Sequence, residues 1–207
     1  MSLVITHVLL DADGVVQDLP GGWYAAMEPF LGDRSREFLH RTWADEEPTL
    51  AGEGDYLPML EATLLEYGVT TPVADVYAAV WHRIDEVASS FEVVAALRRA
   101  GYGVHLATNQ ERRRGTYMHD VLGYRDRFDV SAYSWEVGAA KPDPEFFHRV
   151  VRRIGAPPHE VLFVDDNEAN VEGARTAGLV AEHWHFERGP ESLLTLLGSH
   201  GIGLGTP

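Results

Sequence analysis

The sequence predicts an α/β fold: a parallel sheet with helices on both faces, and a small helical bundle inserted after the first strand. Three observations predict it. Val4 to Leu10 is a nearly continuous apolar run that stops at Asp11 and Asp13, the pattern of a strand buried on both faces with its carboxyl end at water. From Ser90 onward, short apolar runs alternate with helical segments, which demands a parallel sheet. Between them, residues 17–88 carry helical stripes and no strand pattern, and structureless loops of that length are rare in compact domains. The expected division is residues 1–16 and 89–207 as the α/β core and residues 17–88 as a helical cap.

The opening strand spans Val4–Leu10. Its N-terminal side has no basic segment and its apolar run ends in an acid, so it reads as a core strand and neither a signal peptide nor a membrane span. In the insertion, residues 22–31 and 35–44 are expected helices, the second marked by Phe38, Leu39, Thr42 and Trp43. Leu57, Leu60, Leu64 and Tyr67 form a stripe that stops at Gly68. Val73, Val76, Tyr77, Val80, Trp81, Ile84 and Val87 extend another over about four turns, with Pro72 at its start. The core resumes with a helix at Ser90–Arg99 and a strand at Gly103–Ala107 that ends in Thr108-Asn109. A polar helix over Arg112–Leu122 and a short strand over Asp129–Tyr133 follow. Asp143 and Pro144 are an N-cap and first-turn proline for a helix closed by Gly155. Val161–Val164 is a second apolar run meeting acids, at Asp165 and Asp166; a helix over Glu168–Ala177, a strand over Leu179–Trp184 and a helix over 190–198 complete the pattern. The glycine-rich stretch 201–205 is expected to fray.

Composition limits the function. The 207 residues carry a formal charge of −15, which argues against nucleic acid or an anionic membrane as partner. There is no cysteine, so thiolate nucleophiles, disulfides and zinc-thiolate sites are excluded; a cytoplasmic setting is expected.

Parallel strands bring their carboxyl ends to one edge, and here those ends carry Asp11 and Asp13, Thr108 and Asn109, and Asp165 and Asp166, with Lys141 nearby. Taken singly, each is an ordinary turn, helix start or surface residue. Together they place four carboxylates in one pocket, where two unit charges about 4 Å apart repel by on the order of 4 kcal/mol at an effective dielectric of 20. A hard divalent cation with oxygen ligands relieves this, and Mg²⁺ fits the set. Thr108 and Asn109 supply hydrogen-bond donors and Lys141 a charge for phosphate oxygens, which reads as a phosphoryl-transfer site.

DADGVV, TN, KPDPEFF and VLFVDDNEANVEGARTAGL resemble, in the same order, the four motifs of the haloacid dehalogenase (HAD) superfamily, in the branch with a helical cap after the first motif. The last two are similar to those of small sugar-phosphate phosphatases and the N-terminal phosphatase domain of soluble epoxide hydrolase. The resemblance implies a Rossmann-like core and an Mg²⁺-dependent phosphatase acting on a small phosphorylated metabolite, a sugar phosphate or similar, through an aspartyl-phosphate. It implies Asp11 as nucleophile and metal ligand. Asp13 would be general acid and base, with its backbone carbonyl on the metal. Thr108, Asn109 and Lys141 would hold the phosphoryl group. Asp166 would be the third metal ligand, with Asp165 sharing the metal or orienting its waters, and Asn170, one turn on, within reach of the same site. The alternatives are a phosphomutase, which uses the same acids, a 2-haloacid dehalogenase, which lacks an acid at the Asp13 position, and a non-catalytic phosphate-binding module of the same fold. The expected assembly is a monomer or homodimer. His183 and His185 alternate along a strand without a third ligand and read as core or surface histidines. Trp23, Tyr24, His40, Arg41 and Trp43 lie in the cap and are candidates to meet a substrate, with Arg41 or His40 reading the leaving group if either faces the pocket.

Overall fold

The computed structural model describes residues 4–204. The chain enters through β1 (His7–Leu10) and leaves the sheet through β2 (Gln17–Asp18). It then builds α1 (Gly22–Leu31), α2 (Ser35–Leu50), α3 (Tyr56–Glu66) and α4 (Val73–Val80), and returns through β3 (Asp85–Glu86). The rest alternates: α5 (Ala88–Arg99), β4 (Gly103–Thr108), α6 (Arg112–Thr116), α7 (Tyr124–Arg127), β5 (Val130–Tyr133), α8 (Ser134–Val137) and α9 (Pro144–Ile154). It closes with β6 (Val161–Asp165), α10 (Glu168–Thr176), β7 (Val180–His183) and α11 (Pro190–Ser199).

Five strands form one sheet in the order β5-β4-β1-β6-β7, every neighbouring pair parallel. The central strand β1 is flanked by β4 and β6, and Leu10 stands opposite both Leu106 and Val164. Alternation along β1 sends Val8 and Leu10 to one face, against Val93 and Leu97 of α5 and Leu193 and Leu197 of α11. Leu9 goes to the other, with Phe147 and Val150 of α9 and Val171 of α10. Burying each such aliphatic side chain contributes roughly 1.5–3 kcal/mol, so the sheet is held from both sides and the strand ends are left for chemistry.

The insertion has an apolar cluster of its own, built on Met27, Phe38, Leu60, Val76 and Trp81. Its two connections to the sheet run side by side as an antiparallel ribbon, Gln17 opposite Glu86 and Asp18 opposite Asp85.

Several elements differ from expectation: α2 runs on to Leu50, the insertion is entered and left through the short strands β2 and β3, and four further differences have a physical reason. β1 begins at His7 and not Val4: its paired registers with β4 and β6 both start there, and Thr6 before it keeps single backbone hydrogen bonds to Glu160 and Gly103. The stripe from Val73 to Val87 is not one helix: α4 ends at Val80, and the N–H groups of Trp81 and His82 both turn back to the Tyr77 carbonyl. Its apolar residues serve two cores, Val76, Tyr77, Val80 and Trp81 that of the insertion and Ile84 that of the sheet. The polar helix after β4 is five residues of α-helix followed by a wider π turn over Tyr117–Val121. The C-terminal stretch is docked through residue 204: Ile202 is buried in the sheet core, and the Gly203 N–H donates to the Tyr102 hydroxyl. Gly205 lies outside the described residues. Among the described residues no helix is long and apolar enough to cross a membrane.

Candidate active site

Asp11 follows β1 directly, and its N–H extends the ladder to the Val164 carbonyl at 2.9 Å. The loop after it is wound tightly on the Ala12 carbonyl, which accepts from Val16 and Gln17 at 2.9 Å each. Gly14 makes this possible: its φ is +79°, and a Cβ there would lie 2.5 Å from Asp166 Cγ. The glycine of the first motif therefore makes room for an acid of the last.

Lys141 Nζ lies 2.7 Å from Asp11 Oδ1 and 2.6 Å from Asp165 Oδ2, with all three side chains nearly or wholly buried. Asn109 fixes this lysine by its backbone: Nδ2 donates to the Lys141 carbonyl and Oδ1 accepts its N–H, both at 2.8 Å. Thr108, at the end of β4, is buried, and its hydroxyl accepts from Gln110 Nε2 at 2.9 Å. Asp165 has both oxygens occupied by protein donors, Oδ2 by Lys141 and Asn170 and Oδ1 by the Asn167 N–H and Asn170. Asn170 thus reaches the site through Asp165.

Burial pushes the Asp11 carboxyl well above its usual range; Lys141 opposes this, and Asp165 and Asp13 add to it. Asp166 is raised as well, by burial and then by Asp165. Burial alone would lower Lys141, but the charges of Asp11 and Asp165 outweigh it and raise it. One ammonium thus faces three carboxylates, of Asp11, Asp165 and Asp166, each offering an oxygen within 4.8 Å of the others. An all-oxygen, net-anionic set of this kind fits a hard divalent cation.

Asp13 is held by residues that sequence reasoning passed over. Oδ1 accepts from Gln17 Nε2 (2.8 Å) and Arg114 Nη2 (2.8 Å), and Oδ2 from Gln110 Nε2 (2.9 Å) and Arg114 Nη1 (2.7 Å). Burial favours the neutral acid here, but the Arg114 charge and these hydrogen bonds win and hold the carboxyl at about 2. Arg114 is buried, donates Nε to the Trp81 carbonyl at 2.9 Å and lies over the Trp23 ring. In the run Glu111-Arg112-Arg113-Arg114 the sequence signal was only a charged helix face; nothing in it marks which arginine turns inward.

Asp11, Asp13, Thr108, Asn109, Lys141, Asp166 and Asn170 all line one cavity of about 390 Å³. Gly14, Asp18, Leu19, Gly22, Trp23, Asn167 and His185 complete its wall. His185, read from sequence as a core or surface residue, faces this cavity, whereas the ring of His183 bonds the Asp166 carbonyl at 2.8 Å. Trp23 lines the cavity; His40 pairs with Tyr24, and Arg41 with Glu66 at 2.6 Å, away from it. A larger groove of about 880 Å³, between the insertion and α6, holds none of the acidic cluster.

Residues 5–178 match the family described as haloacid dehalogenase-like hydrolase. An enolase-phosphatase E1 of Aquifex aeolicus is 22% identical over 200 residues, covering 85% of this chain and 88% of its own. A phosphoglycolate phosphatase of Cupriavidus necator is 27% identical over 191 residues, covering 86% and 80%. A HAD family enzyme of Bacteroides thetaiotaomicron, solved with magnesium and inorganic phosphate, superposes with a TM-score of 0.71 at 21% identity, over 86% of this chain and 93% of that one.

Proposed function

We propose, for a chain that belongs to the haloacid dehalogenase-like hydrolase family, that it is an Mg²⁺-dependent phosphatase of a small phosphorylated metabolite working through an aspartyl-phosphate. The observation that carries this reading is the setting of Asp11: a buried carboxylate with an ammonium at 2.7 Å and two further carboxylates within metal-sharing distance. The names of the two phosphatase relatives, and the neighbour solved with magnesium and phosphate, support it.

In this reading an Asp11 oxygen attacks phosphorus and the alcohol leaves; water then cleaves the acyl phosphate and regenerates the carboxylate. Lys141 and Thr108 hold phosphoryl oxygens, and Asn109 serves by fixing the Lys141 backbone. Asp11, Asp166 and the Asp13 backbone carbonyl would hold the metal, which supplies charge neutralisation among the acids. Asp165, with its oxygens occupied, orients Lys141 and Asn170. Asp13 moves the proton, and since each of its oxygens carries two donors it must release part of the Arg114 fork before it serves as an acid. Residues 17–88 act as the cap and bring Trp23 to the cavity.

The test is phosphate release from a panel of sugar phosphates, nucleotides and p-nitrophenyl phosphate, with and without Mg²⁺. Mg²⁺-dependent release that Asp11→Asn abolishes is expected; no release above that variant on any ester defeats the proposal.

A further inference from the structure

We infer that the leaving group accepted by this site is an uncharged, hydroxylated alcohol, and that esters bearing a carboxylate or second phosphate beside the scissile bond are turned away. The inference rests on the phosphatase reading and concerns the part of the cavity beyond the phosphoryl group. The wall there is Asp18, Leu19, Gly22 and Trp23 on the insertion side and His185 on the core side.

Among the described residues no lysine or arginine is free in that wall. Lys141 is the one lysine or arginine lining the cavity among the described residues, and its ammonium already lies between Asp11 and Asp165. Arg114 is buried against Asp13 and does not line the cavity. Residues 17–88 contain four arginines, no lysine and fourteen acids, and of these charged residues Asp18 alone lines the cavity among the described residues. Three of those arginines are engaged elsewhere: Arg34 donates to the Tyr67 carbonyl, Arg36 lies over the Tyr24 ring, and Arg41 pairs with Glu66. The fourth, Arg83, is exposed and does not line the cavity. A second anionic group would give up water to face Asp18 with no counter-ion, which is strongly unfavourable.

A polyol is matched by the same wall. Asp18 accepts from hydroxyls, and Trp23 offers an apolar surface. His185 is held by its Nδ1, which accepts the Glu187 N–H at 3.2 Å and leaves the Nε2 side of the ring to donate. The His185 segment is tied to both acidic loops, by the Phe186 N–H to the Gly14 carbonyl at 2.9 Å and by His183 to the Asp166 carbonyl at 2.8 Å. The donor is thereby positioned relative to the reacting carboxylates.

The experiment compares glycerol 3-phosphate with 3-phosphoglycerate, a pair differing in a hydroxymethyl against a carboxylate, on the full chain with Mg²⁺ and with p-nitrophenyl phosphate as control. We expect kcat/KM at least tenfold higher for glycerol 3-phosphate, and at least a threefold narrowing of that ratio in Asp18→Asn and Asp18→Lys variants that keep the wild-type circular dichroism. Equal or reversed preference in the wild type, with p-nitrophenyl phosphate cleaved, overturns the inference and leaves the phosphatase reading standing. A ratio unmoved by either Asp18 variant overturns the role given to Asp18. Failure to release phosphate from all three esters removes the phosphatase reading and this inference with it.

Discussion

Asp13 receives two hydrogen bonds on each oxygen, one of each pair from Arg114, and the guanidinium is buried while the carboxylate side chain is 40% exposed. Removing one partner of such a pair leaves the other uncompensated, whereas removing both is close to neutral. Arg114→Met is therefore expected to lose about 3 kcal/mol, at the low end of the range for buried pairs because water screens the Asp13 end. Asp13→Asn added to it should recover part of that loss in urea unfolding; a double variant no more stable than Arg114→Met would show that Arg114 is held for another reason. The pH dependence has a definite sign. Asp13 has a folded value near 2, below its ordinary 3.8, so its contribution is present above about pH 4 and is lost as pH falls toward 2. Arg114→Met should flatten that part of the acid-unfolding curve.

Helices α2, α4 and α6 meet at a cluster of acids that shares this one arginine. The Glu111 side chain accepts N–H groups from Arg113 and Arg114 at the start of α6, and the Tyr77 hydroxyl of α4 donates to it. Glu46 of α2 is raised to about 8, first by burial and then by Glu111, against the pull of Arg114. A carboxyl whose folded value lies above its ordinary 4.5 binds a proton more tightly folded than unfolded, so stability falls as pH rises from about 4.5 to 8. Glu46→Gln removes that loss: it should melt about 3–6 °C above the wild type at pH 8, at roughly 3 °C per kcal/mol for a chain of this size, with the gap closing toward pH 4.5. A constant gap across that range would mean that Glu46 ionises normally. This cluster also marks where the sequence stops being legible. The strands β1 and β6 could be read because a buried strand leaves an unbroken apolar run, and the acids at their tips could be read because charge has no other reason to interrupt one. Asp13 was visible in this way. Gln17, Gln110 and Arg114 were not, because a polar residue on a two-residue strand, a loop or a short helix looks the same in sequence whether it meets water or a buried carboxylate. The stripe from Val73 to Val87 failed for the opposite reason, since apolar spacing records which residues turn from water but not that Ile84 packs against a different core from the one that buries Trp81.

Across the whole molecule, the site is assembled from segments that meet only because β1 lies between β4 and β6. Asp11 and Asp166 follow adjacent strands, and the Gly14 backbone is close enough to Asp166 that no side chain fits between them. A cation bound by these two acids joins the ends of β1 and β6, neither of which is close to the other in the unfolded chain. Binding that is confined to the folded state adds its free energy to global stability. With Mg²⁺ at about one hundred times its dissociation constant this is about 2.7 kcal/mol, or a rise in melting temperature of roughly 8 °C. Asp166→Asn should lose that rise, because among the described residues the acid it replaces is in no ion pair, Lys141 being bound to Asp11 and Asp165. Asp165→Asn should behave differently: it melts lower without metal, since Lys141 and Asn170 lose a charged acceptor, and it keeps most of the Mg²⁺ shift. Differential scanning fluorimetry on the three proteins with and without Mg²⁺ separates the two acids. A full Mg²⁺ shift in Asp166→Asn, or none in Asp165→Asn, would reverse the division of labour proposed for the pair.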